Sequence, residues 1–172
     1  VWSRPYFLRS RWVLPVGRGE LWDALLSQLE SGDPLPWWGS VRAVGTTPDT
    51  IDLRADTGLG YRLRFTVSDL ELARPDHLTF SADGDLRGRA VVRFVPAARS
   101  ATILLIEWDV VATRVWMRSV DPLARPIFVV SHAVLMRRGE RRLAAWLEGG
   151  DLRTPRRLGR WLRNLSVGSR GA

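Results

Sequence analysis

The chain has no cysteine, no lysine, two histidines and two tyrosines. Without thiols neither disulfides nor thiolate metal sites can form, and folding requires no oxidising compartment. No stretch of about 18 apolar residues occurs, as a membrane-spanning helix would need. The start Val1-Trp2-Ser3-Arg4-Pro5 lacks the apolar core of a signal peptide. The expected location is therefore the cytoplasm.

Several chemistries are excluded for want of parts. His77 and His132 lie far apart and give no zinc spacing. Gly58-Leu59-Gly60 lacks the third glycine and following helix of a dinucleotide loop, and no GxxxxGK[ST] run exists. Ser131 and His132 are neighbours on a predicted helix and cannot face one another as a triad would require. No metal and no cofactor are expected.

All 26 basic residues are arginine, a composition that reads as codon bias. Their positions carry more information. Residues 1–136 hold 16 arginines against 15 acids, whereas residues 137–172 hold 10 against 3. A nucleic-acid-binding surface spreads its charge over a docking face with stacking aromatics beside it, so no nucleic acid is expected as a partner. The length of 172 residues suits one domain, burying roughly 70% of its unfolded surface.

Period-two alternation predicts a first strand over 6–14, with Tyr6, Leu8, Ser10, Trp12 and Leu14 on one side. Leu21, Trp22, Leu25, Leu26 and Leu29 recur at three and four, predicting a helix from Arg18 to Leu29 that Ser31-Gly32-Asp33-Pro34 ends. Pro36-Trp37-Trp38-Gly39 then forms an aromatic corner. Six further strands are expected at 41–46, 50–55, 61–69, 77–82, 88–96 and 101–115, joined by short polar turns that imply antiparallel hairpins.

The same alternation assigns faces. Tyr61, Leu63, Phe65 and Val67 point inward, as do Leu78, Phe80 and Ala82, then Ala90, Val92 and Phe94, and finally Leu104, Ile106, Trp108 and Val110. His77, Thr79 and Ser81 fall on the wet face, and Asp52, Asp69, Glu107 and Asp109 fall mainly on outward faces. A sheet half solvated in this way needs a cover. The segment after Asp121-Pro122 supplies it: regular helix is expected from Pro126, with Asp121 as cap and an irregular lead-in. Phe128, His132, Leu135, Met136, Gly139, Leu143 and Trp146 fall within about one 100° arc, and Gly149-Gly150 stops the helix.

This order of strand, helix, six strands and long helix resembles the START-like (SRPBCC, birch-pollen-allergen-like) superfamily, in its polyketide cyclase/dehydrase and lipid-transport branch. The likeness covers roughly residues 5–148. Local matches are Gly19-Glu20-Leu21-Trp22-Asp23, Pro36-Trp37-Trp38, Gly84-Asp85-Leu86-Arg87-Gly88, Trp108-Asp109-Val110 with Trp116-Met117, and His132 through Met136 to Gly139. The resemblance implies an α+β helix-grip fold: a curved seven-stranded antiparallel sheet wrapped around a long C-terminal helix, with an apolar cavity between them. It spans carriers, cyclases and hydrolases, so it carries binding over more safely than reaction.

Candidate ligand contacts are the corner residues Trp37 and Trp38, the inward strand residues Tyr61, Phe65, Phe80, Phe94 and Trp108, and the helix residues Phe128, His132 and Met136. Large aromatic faces suit flat or polycyclic partners, although aromatics also serve simply as core. Tyr61 can donate a hydrogen bond without the cost of a buried charge, and His132 can act as acid or base if the cavity is wet. These two are the catalytic candidates.

Residues 151–172 form a separate basic tail beyond the 1–150 domain. Leu158, Trp161, Leu162 and Leu165 at helical spacing, with Arg156, Arg157, Arg160 and Arg163 among them, predict an amphipathic helix over 154–165. It suits an anionic membrane surface, an acidic partner, its own domain or a second copy of the chain in a homodimer. Three functions follow from the whole reading: a carrier of an apolar small molecule, an aromatase/cyclase-type enzyme using the same cavity, and an interaction protein acting through its arginine-rich end.

Overall fold

The computed structural model describes residues 5–98, 100–113 and 121–149. In chain order these form β1 (Tyr6–Leu14), α1 (Arg18–Ser31), β2 (Val41–Thr46), β3 (Ile51–Asp56), β4 (Arg62–Ala73), β5 (His77–Gly84), β6 (Leu86–Ala97), β7 (Ala101–Ala112) and α2 (Asp121–Gly149). The expected Trp116-Met117 match, the capping role of the Asp121 side chain and the basic helix over 154–165 lie outside the described residues. Among the described residues no helix is long and apolar enough to cross a membrane.

All seven strands belong to one antiparallel sheet in the order β1-β7-β6-β5-β4-β3-β2. Successive hairpins build β2 through β7, and β1 adds at the far side beside β7. The chain passes from one edge strand to the other through α1. The result is an α+β helix-grip architecture, a curved sheet with helices against its concave face.

The observed faces follow the alternation. Tyr6, Leu8, Trp12 and Leu14 are buried while Phe7, Arg9, Arg11 and Val13 are exposed. β4 departs from the expected end at 69 and runs to Ala73, through a bulge between Ser68 and Glu71 where Asp69 has φ of 50°. The extra residue shifts the register by one, so that Leu70 follows Val67 into the interior instead of pointing to solvent. Thr79, expected to be wet, is only 8% exposed. Its hydroxyl donates to Glu71 Oε2 at 3.2 Å and accepts from Arg89 Nη2 at 3.2 Å, so two long side chains fold over it.

The β5–β6 turn draws three strands together. Gly84 has φ of 133°, and a Cβ there would lie 2.7 Å from the Arg64 carbonyl oxygen, so only glycine fits. Next to it, Asp85 Oδ2 accepts the Arg64 N–H at 2.7 Å, and the Asp85 N–H donates to the Arg64 carbonyl at 2.8 Å.

α1 buries Leu21 and Trp22, the latter edge-on to Phe94 at 5.0 Å between ring centroids. Leu21 and Leu143 are both 0% exposed, and each such side chain contributes about 2 kcal/mol of hydrophobic stabilisation. Two exposed ion pairs, Arg18–Asp76 and Arg74–Asp23, each 2.7 Å, fasten α1 to the β4–β5 turn.

α2 is continuous from Asp121, with Pro126 inside it, and not irregular up to Pro126 as expected. Pro126 sits in the second turn, where a missing N–H removes one ladder bond next to carbonyls and amides that are already poorly paired at a helix start. The helix lies along β1. Arg125 stacks over the Tyr6 ring at 4.8 Å, and Glu140 Oε1 accepts the Val13 N–H at 2.8 Å. Glu140 therefore caps part of an otherwise open sheet edge. Of the predicted inner arc, Phe128, Met136, Gly139 and Leu143 are buried, and His132, Leu135 and Trp146 are half-buried or nearly so. Ser131 and Leu147 are buried as well and widen the arc.

Candidate functional site: a carbon-walled cavity

Between the concave sheet face, α1, the Pro34–Trp38 corner and α2 lies a cavity of about 270 Å³. This is just below the range of about 300–1,000 Å³ typical of small-ligand pockets. Curvature creates it. Inward residues from every strand, β1 to β7, line it, and α2 lies across the opening. Two packed clusters brace it from either side, one around Tyr6, Val110 and Phe128, the other around Trp12, Trp22 and Leu143.

All ten residues proposed from the sequence line this cavity. Trp37 and Trp38 form one wall, stacked at 5.4 Å with 13° between their planes. Trp12 meets them edge-on, at 6.1 Å and 5.4 Å. On the sheet, Trp108 contacts Phe65 at 5.5 Å and Phe80 at 6.4 Å, while Phe94 lies towards α1. From α2 come Phe128, His132 and Met136. Each aromatic pair adds about 0.5–1.5 kcal/mol beyond burial, which makes these walls firm.

Polar groups are few, and most are engaged with the protein itself. Tyr61, immediately before β4, places its hydroxyl 2.8 Å from Ser131 Oγ. Ser131 Oγ donates its single proton to the Phe128 carbonyl at 3.0 Å, so the shared hydrogen bond is Tyr61 donating to Ser131. Thr57, 6% exposed, donates to the Tyr61 carbonyl at 2.8 Å. The indole N–H groups of Trp12, Trp37, Trp38 and Trp108 are enclosed in the wall and meet no acceptor among the described residues. Almost no polar atom is exposed to the lumen.

His132 reaches the same cavity from α2. Burial pushes its pKa down to about 4 from the ordinary 6.5, so the imidazole is neutral at neutral pH. His77, the other histidine, is exposed on β5. Among the described residues no cluster of three or more His, Asp or Glu is placed to hold a metal ion.

The cavity also draws on residues that alternation alone does not mark. Leu70 arrives only through the bulge at Asp69. Ser131 lies three residues after Phe128, a spacing that puts it on the buried arc, but its polar side chain argues against that placement. Leu25 and Leu29 of α1 and Pro34 and Leu35 of the corner complete the wall. Their helical and turn signals are plain in the sequence, but the side of the cavity to which they belong is not.

No family model matches the sequence, and no curated protein does. Solved structures share the fold. The chain superposes on the aromatase/cyclase ZhuI from Streptomyces sp. R1128 with TM-score 0.62 and 10% identity, over 84% of this chain and 94% of that one. A START superfamily protein from Mycobacterium smegmatis gives 0.57 and 12%, over 83% and 97%. A protein of Thermus thermophilus gives 0.58 and 17%, over 81% and 98%. The described domain thus has a START-like helix-grip fold.

Proposed function

We propose that the protein binds an apolar small molecule, lipid-like or polyketide-like, in the cavity between sheet and α2. One observation carries this reading: a space of about 270 Å³ is walled by carbon and aromatic faces in a fold that could have closed on itself. Protein interiors normally leave few voids larger than a water molecule, and an apolar cavity of this size leaves its lining either without packing partners or against water. A ligand restores those contacts, with about 25 cal/mol gained per Å² of apolar surface removed from water before ordering costs. Native mass spectrometry of the freshly purified protein, compared with the denatured chain, tests this. A bound apolar compound of defined mass is expected. A protein that carries nothing and takes up no apolar compound on incubation contradicts it.

A second reading is an aromatase/cyclase-type enzyme, favoured by the presence of Tyr61 and His132 on one lumen. In that case the cavity would fold a reactive chain into a near-attack shape, neutral His132 would accept a proton, and Tyr61 would have to turn its proton from Ser131 to the substrate carbonyl to polarise it. Loss of cyclised product in both Tyr61→Phe and His132→Ala chains supports it. Unchanged product with both variants removes these groups from any mechanism.

A further inference from the structure

The composition of the wall narrows the ligand further. This step rests on the binding reading above and adds to it the charge class of the molecule bound. Of the 172 residues, 44 are charged, yet none of the described residues that wall the cavity is Arg, Asp or Glu. The alternation of the strands explains the separation. Arg62 and Arg64 alternate with Leu63 and Phe65, and Arg89 and Arg93 flank Ala90 and Phe94, so inward apolar positions are matched by outward charges. The outward charges then pair with one another across the convex face, as Arg89 does with Glu71 and Arg93 with Glu107.

The polar side chains that do reach the lumen offer an anion little. The Tyr61 proton is committed to Ser131, the Ser131 proton to the Phe128 carbonyl and the Thr57 proton to the Tyr61 carbonyl. His132, neutral through burial, brings one ring N–H but no positive charge. A carboxylate brought into this space would lose its hydration and gain no counter-charge. The indole N–H groups of Trp12, Trp37, Trp38 and Trp108, though without acceptors among the described residues, are sealed within the wall and do not face it. Amphipathic ligands with an ionised end would have to leave that end outside.

We infer that the cavity selects uncharged, hydrocarbon-like molecules and excludes their carboxylate counterparts, because its wall holds no cation and its hydroxyl protons are already bonded within the protein. The outward arginines of β4 and β6 do not alter this selection, since their charges lie on the solvent side of the sheet.

Three probes of similar bulk separate charge from shape: 1-methylnaphthalene, methyl 1-naphthoate and 1-naphthoate, titrated calorimetrically into the full chain at pH 7.5. The hydrocarbon and the neutral ester are expected to bind within a few-fold of each other, and the carboxylate at least tenfold more weakly. A Leu135→Arg chain, which sets a cation at the lumen, is expected to bring naphthoate to parity or better. Naphthoate binding as tightly as the ester in the native chain overturns the inference while leaving cavity binding intact. Failure of all three probes overturns the binding reading itself, and the charge selection with it.

Discussion

Gly139 presents its bare Cα to the indole of Trp38 so closely that a Cβ at this position would lie 2.7 Å from ring atom Cε2. Trp12 closes in from the other side, its Cη2 at 2.9 Å from the same point. Two indoles thus occupy the space of a missing side chain, and this contact sets how near α2 approaches the sheet. In a free helix alanine is favoured over glycine by about 1 kcal/mol. Here the sign reverses: Gly139→Ala is expected to destabilise by about 1–3 kcal/mol through overpacking. Gly19, helical and with nothing within 4 Å of its Cβ position, is the control, and Gly19→Ala should be neutral or stabilising. Urea denaturation of the two variants compares them.

The bulge at Asp69 makes a second prediction. Its φ of 50° is reached by glycine without strain and costs a β-branched residue about 1–2 kcal/mol. Asp69→Gly should leave stability unchanged or raise it, and Asp69→Val should lower it by that amount. Deleting Asp69 should be tolerated better than Asp69→Val, because removing the extra residue restores plain alternation with Leu70 and Leu72 still inward and Leu72 still opposite Leu78. Thermal melts of the three chains give the order.

Acid titration isolates His132. In the unfolded chain it protonates near 6.5, but in the folded one only near 4. Between these values the unfolded state binds more protons, so stability falls as pH drops through the window, and the full loss is present below about 4. At about 1.4 kcal/mol per pKa unit the loss is at most about 3–4 kcal/mol. Asp56, Asp83 and Glu107 have pKa values held below the ordinary carboxylate range, Asp56 chiefly by the Gly58 N–H, Asp83 by Arg87 and Glu107 by Arg93. Their pairs are lost only at lower pH, which leaves the range from about 6.5 to 4.5 to the histidine. Denaturant midpoints should fall across that range in the native chain and stay flat in His132→Gln.

Glu140 guards the β1 edge through the Val13 amide. Glu140→Ala is expected to cost about 1 kcal/mol and to increase self-association through the uncovered strand, while Glu140→Gln keeps the acceptor and most of the effect. Sedimentation velocity on the two variants distinguishes them.

Much of this fold is legible in the sequence because two periods dominate the chain. Alternation around Phe65 and around Phe94, and the three-and-four spacing from Phe128 to Leu143, name the inward residues on their own. What stays hidden breaks period. One residue with positive φ at Asp69 reverses the faces beyond it. Thr79 is covered by side chains from β4 and β6, a relation between strands and not along one. Pro126 suggests a helix start because local rules assign it an end position, while packing of α2 along β1 carries the helix through it. The Tyr61–Ser131 bond joins residues 70 apart, and no local pattern announces such a partner. Cavity volume is further removed still, since it depends on how strongly seven strands curve together.

The central claim is that the space between sheet and α2 is a binding site. It is tested most directly by titrating 1-methylnaphthalene into the native chain and into Val67→Trp, in which an indole fills the lumen from a residue of its wall. With circular dichroism showing both chains folded, saturable one-to-one binding to the native chain and at least tenfold weaker binding to the filled one is the predicted result. Equal affinity for the two chains, or no saturable binding to the native one, would contradict it.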